Sequence, residues 1–202
     1  MTDDNQRLVD AAANGDRAAA AALLQAYLPG LRAYIRLKMG DRIRQRESCS
    51  DLVQSVCREV LEHLDQFQHS GEAAFKRWLF TMAARKIGHR HEYWNAERRD
   101  PARELPLAAN SSRGGDDALL LQAYRQLGTP SREVIAREAV AHMERAFDRL
   151  PEHYRQVILM ARILGMSRAE MAAELERSEP AVGNLLFRAL AQFGEELDRP
   201  EP

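Results

Sequence analysis

Two stretches of this 202-residue chain carry residue types at spacings that suit non-covalent nucleic-acid chemistry. In the first, Ser167-Arg168-Ala169-Glu170 has the Ser-x-x-Glu spacing in which a hydroxyl and a carboxylate satisfy each other's helix-end amides, so a helix begins there. Met171, Ala172 and Leu175 give it an apolar face, Glu176-Arg177 makes a turn, and Ser178 can cap a second helix whose first turn tolerates Pro180. Val182, Leu185, Leu186 and Ala189 continue at helical spacing. Two short helices joined by three or four residues can seat the second in a DNA major groove, although a plain helical hairpin has the same pattern.

The second stretch runs from Lys76 to Arg103, where eight basic residues stand against three acidic ones. That is a local charge of +5 on a chain whose net charge is −1, and phosphates select such a footprint. His69, Phe75, Tyr93 and Trp94 lie in or beside it, and stacking surfaces along a cationic track are what a single strand requires. For Phe75, Trp78 and Leu79 the stronger reading is core packing. An earlier cluster, Arg32, Arg36, Lys38, Arg42, Arg44 and Arg46, is opposed only by Asp41 and reads equally well as a solvated helix face.

Catalytic spacings are missing. The chain has no G-x-x-x-x-G-K-[ST] phosphate loop and no G-x-S-x-G elbow, and His91-Glu92-Tyr93-Trp94-Asn95 lacks the second His of a zinc protease motif. His89 and His91 are two apart and would point to different faces of a helix, so a shared metal is not expected. No enzyme activity, metal or cofactor is expected. Cys49 and Cys57 form no Cys-x-x-Cys motif and read as free, small buried thiols of a reducing compartment.

The elements that must position these residues are helical. Composition is that of an ordinary globular protein. No apolar run approaches the roughly 20 residues of a bilayer span, and the acidic start is unlike a signal or transit peptide, so a cytoplasmic location is expected. Residues 5 to 28 form a helical pair broken at Asn14-Gly15-Asp16. An apolar face then runs from Leu23 to Leu37 past Pro29-Gly30. Ser48 or Ser50 precedes a periodic helix with Leu52, Val53, Val56, Val60, Leu61 and Leu64 inside. A loop after Phe67 leads to the helix of Phe75, Trp78, Leu79 and Met82.

Between Pro101 and Pro130 fall six of the nineteen glycines and prolines, which marks a linker with room for a short helix at 116–127. Helical signals return through Met143, Phe147 and Leu150. Pro151 then opens a helix with Tyr154, Val157, Ile158, Ala161 and Leu164. With no convincing strand, the expected fold is all-α: two small helical domains, residues 1–100 and 131–202, joined by a linker, 101–130, with the helix-turn-helix in the second.

In this order the motifs resemble the extracytoplasmic-function sigma factors of bacterial RNA polymerase, from about Gln6 to Leu197. Asn14-Gly15-Asp16 and Tyr27 resemble the family's opening helices. Asp51-Leu52-Val53-Gln54 is similar to the motif on the helix that grips the clamp helices of the beta-prime subunit. Phe67 through Phe75 with Trp78-Leu79 resembles the loop and helix that capture an unpaired base at the minus-ten element. Leu150-Pro151-Glu152 and Ser167 through Leu190 resemble the domain that binds the minus-thirty-five element.

The resemblance implies a sigma factor, a subunit for promoter recognition and DNA opening in transcription initiation. Asp51, Leu52 and Gln54 would bind core polymerase, and Asp51 and Gln54, three apart, share a helix face. His69, Arg85, Lys86, Arg90, Trp94, Arg98 and Arg99 would hold melted promoter DNA, while Ser178, Ala181, Asn184, Leu185 and Arg188 would meet duplex. The implied partners are polymerase core, promoter DNA and an anti-sigma factor able to clasp either domain, with a monomer when free.

Departures accompany the likeness. Arg85 stands where the family often has Asn, and Ala181, Gly183, Asn184 and Leu185 stand where Thr, Lys, Ser and Arg are common. Residues 138–198 hold eleven acids against seven arginines, a net of −4 that opposes generic attraction to DNA. Asn184, Ser178 and Arg188 can still read bases or phosphates. The competing readings are a helix-turn-helix regulator, which would normally dimerise, and a helical adaptor; mass in solution and binding to polymerase separate them.

Overall fold

The computed structural model describes residues 2–67, 71–97 and 136–199. The chain divides into two compact units, Met1–Ser111 and Ser112–Pro202. Among the described residues there is no strand.

The first unit consists of α1 (Thr2–Ala13), α2 (Arg17–Arg44), α3 (Cys49–Glu62), a 3₁₀ turn (Leu64–Gln66) and α4 (Glu72–Glu97). α1 stops at Gly15, whose φ of +88° is open to glycine, and the Asp16 carboxylate accepts the amides of Ala18 and Ala19 to start α2. α2 packs on α1, α3 and α4. Its Leu23, Leu31 and Ile35 join Leu52, Val56, Val60, Phe67, Phe75 and Leu79 in one fully covered core. Ser48, not Ser50, caps α3, its hydroxyl accepting the Asp51 amide.

Two features of α2 depart from the sequence expectation. Pro29 lies inside it, and the helix bends at Gly40, where φ is 69° and ψ 165°. One turn before the bend, the Arg36 carbonyl takes a hydrogen bond from Arg44 Nη1 at 2.9 Å. Arg36 and Arg44 are 8% and 7% exposed, so the solvated-face reading fails for these two of the six cations: they sit inside the unit, where their stems pack and their heads find carbonyl or other partners. Cys49 and Cys57 are half-buried, and the Cys49 thiol donates to the Arg32 carbonyl at 3.8 Å.

The second unit comprises α5 (Ala136–Asp148), α6 (Glu152–Ile158), α7 (Arg168–Glu174) and α8 (Glu179–Asp198). α6 does not run regularly to Leu164 as its periodicity suggests. It widens into a π turn, Leu159–Ile163, closed by the Leu164 amide on the Leu159 carbonyl and stopped by Gly165 at φ +65°. α8 packs on α5, α6 and α7, with Phe193 edge-on to Phe147 at 5.9 Å. Arg149 fastens the far end of α8 through the Glu196 carboxylate and carbonyl. The expected linker and its short helix at 116–127 lie outside the described residues.

Candidate polymerase and nucleic-acid interface

α3 presents a divided motif. Asp51 and Gln54 are exposed on the outer side, whereas Leu52 is 1% exposed among the core residues. Leu52 thus lies on the inner side, as the apolar spacing predicts: one place along the helix from Asp51, its side chain turns about 100° away, into the unit.

α4 separates its basic and aromatic residues in the same way. Phe75 and Leu79 are fully buried, and Trp78 stacks obliquely on Phe67 at 5.2 Å, so this segment anchors the helix rather than offering a platform. Phe75 is thereby withdrawn from the stacking residues. Arg85 is exposed. Lys86 Nζ lies 2.6 Å from Glu59 Oε2, which ties α4 to α3, and Arg90 Nε lies 3.0 Å from Glu47 Oε1, which ties it to the turn before α3. Those carboxylates neutralise part of the footprint that the residue count suggests. Tyr93 is 47% exposed and meets Trp94 edge-on at 5.1 Å. The Arg46 guanidinium lies over the Trp94 ring, 5.4 Å from its centroid. His69, Arg98 and Arg99 lie outside the described residues.

In the second unit the expected helix-turn-helix forms. Ser167 Oγ accepts the Glu170 amide while Glu170 Oε2 accepts the Ser167 amide, a complete capping box. Glu176 makes the turn at φ 51°, and Ser178 Oγ accepts the Ala181 amide to open α8. Val182, Ala189 and Phe193 face inward. The outer face carries exposed Asn184, Phe187 and Arg188, with Ala181 and Leu185 half-buried beside them. Phe187, 75% exposed, escaped the sequence reading; its phase, off the Val182–Ala189–Phe193 line, was the available signal. A Cβ on Gly183 would meet nothing within 4 Å.

Two groups in the first unit resist ionisation. Burial and the neighbouring Glu72 carboxylate push the Tyr27 hydroxyl far above its ordinary range. Burial also pushes the Cys57 thiol up, with the Arg32 charge opposing.

Residues 23–93 match the family Sigma-70 region 2, and residues 142–193 match Sigma-70, region 4. The ECF RNA polymerase sigma factor SigD of Mycobacterium tuberculosis (strain ATCC 25618 / H37Rv) is 26% identical over 200 residues, 98% of this chain and 87% of that protein. The ECF RNA polymerase sigma-E factor of Escherichia coli (strain K12) is 28% identical over 142 residues, 69% of this chain and 68% of the relative. Among solved structures, CnrH in complex with the cytosolic domain of CnrY shares the fold at a TM-score of 0.51, with 23% identity over 96% of this chain and 97% of that one.

A region 2 helical unit followed by a region 4 helix-turn-helix defines a sigma subunit of the sigma-70 type. Its ECF relatives, one of them matching over 98% of the chain, narrow the class. The chain belongs to the ECF sigma factors, and its activity is promoter recognition for RNA polymerase in transcription initiation.

Proposed function

We propose how that activity is divided along the chain. Residues 1–100 dock on the polymerase core and hold the opened minus-ten strand, 101–130 link, and 131–202 meet the minus-thirty-five duplex. Core docking runs through Asp51 and Gln54 against the clamp helices of the beta-prime subunit. The observation that carries this is their joint exposure on a helix whose other face is locked in the core, which fixes a carboxylate and an amide toward a partner. Arg85, Lys86, Arg90 and Trp94 face the melted strand, and His69, Arg98 and Arg99 share that assignment from the sequence. Ser178, Ala181, Asn184, Leu185 and Arg188 lie toward the duplex.

On this reading the chain acts in the cytoplasm as a single copy, without catalysis of its own. An anti-sigma partner masks it when it is not needed; CnrH, of like fold, is solved in complex with the cytosolic domain of CnrY. The test is initiation by bacterial core polymerase on a promoter library, comparing wild type with Asp51→Ala plus Gln54→Ala. Start sites should appear with wild type and vanish with the double variant, whose melting temperature should be unchanged. A double variant that still supports initiation overturns the docking assignment.

A further inference from the structure

Trp94 is reached from a second segment. Arg90 and Trp94 are one turn apart on α4, and both are met by consecutive residues just beyond the end of α2: Glu47 pairs with Arg90 at 3.0 Å, and the exposed Arg46 covers the Trp94 ring at 5.4 Å. Trp94 Nε1 is buried and has no hydrogen-bond partner in the structure. A buried indole N–H left without an acceptor is unfavourable, and native structures keep few such groups. Glu47 Oε2 is buried in the same condition.

We propose that Arg46 and Trp94 form a covered stacking site for one unpaired nucleotide of the opened promoter. The base displaces the Arg46 guanidinium from the ring, Trp94 Nε1 gains an oxygen acceptor from the nucleotide, and Arg46 turns to the adjoining phosphate. The exchange runs toward the nucleotide because an exposed guanidinium–ring contact is weaker than a base stacked on an aromatic ring, and because the displaced cation regains an anion. Glu47 repels phosphate, so the strand enters from the Arg46 side. Arg46 therefore shields the ring in the free protein and becomes a strand contact in the open complex. The inference rests on the reading of α4 as the strand-holding helix.

The experiment uses holoenzyme and bubble promoter DNA with 2-aminopurine placed at each unpaired position in turn. One position should be quenched by stacking with wild type. Trp94→Ala should restore its fluorescence and weaken bubble binding roughly 5- to 100-fold. Trp94→Phe should keep the quenching. Arg46→Ala should also keep it, while the dependence of log affinity on log salt becomes shallower by about one phosphate contact. If wild type initiates but no position depends on Trp94, or if Trp94→Ala weakens duplex and bubble binding alike, the site is refuted and the sigma reading stands. If wild type neither binds core nor initiates, both fall together.

Discussion

Leu52 and Tyr27 show how much of this protein's chemistry is decided by which way a side chain faces. Leu52 stands between the two exposed members of the proposed docking motif yet is 1% exposed. Leu52→Ala should destabilise the first unit by about 2–5 kcal/mol, seen as a lowered melting temperature that accompanies any loss of polymerase binding. Unchanged stability would place Leu52 at the surface after all. Tyr27 and Cys57 are protected from ionising, so the folded chain holds protons that the unfolded chain releases. Stability from both is complete below their ordinary values, about 10 and 8.5, and is lost as pH rises above them. Denaturation at pH 7 and pH 11 should show a steeper alkaline loss for wild type than for Tyr27→Phe; parallel losses would refute the assignment. The motif containing Leu52 was legible from residue order, and its division into outside and inside from the apolar spacing along α3; the choice of Ser48 over Ser50 as the cap was not, since either hydroxyl precedes the helix.

Among the elements, α8 joins stability most directly to function. Gly183 sits inside a helix, where glycine is weaker than alanine by about 0.5–1 kcal/mol, and a Cβ there would meet nothing within 4 Å. Gly183→Ala should therefore raise the stability of the second unit by about that amount. If α8 lies in a groove, the same methyl faces DNA at close range and should lower initiation from promoters that depend on the upstream element, with little effect where that element is dispensable. A variant that is less stable would show that the open space is closed in solution. Both caps of this helix-turn-helix could be read from Ser167, Glu170 and Ser178, because capping is local chemistry. The bend at Gly40 and the π turn at Leu159–Ile163 could not, since the apolar periodicity runs through both without interruption and the alternative hydrogen bonds arise only in the packed unit.

For the whole molecule, the charge that can act on DNA is smaller than the charge that can be counted. The +5 of residues 76–103 includes Lys86 and Arg90, which are held by Glu59 and Glu47, and residues 138–198 carry −4. Such half-exposed pairs contribute about 0–1 kcal/mol each, so phosphates can displace them once polymerase has brought a strand close, but they hold in the free chain. The free protein should then bind duplex promoter DNA weakly, and its log affinity should fall with log salt more gently than a slope of about −3, given roughly 0.9 per neutralised phosphate. Glu59→Gln releases Lys86 and should steepen that slope by about one unit while raising duplex affinity at low salt. Fluorescence anisotropy between 50 and 200 mM salt reads both quantities. An unchanged slope in Glu59→Gln would mean that Lys86 does not reach the nucleic acid, and tight, salt-resistant binding by wild type would mean that the free chain selects its promoter without polymerase.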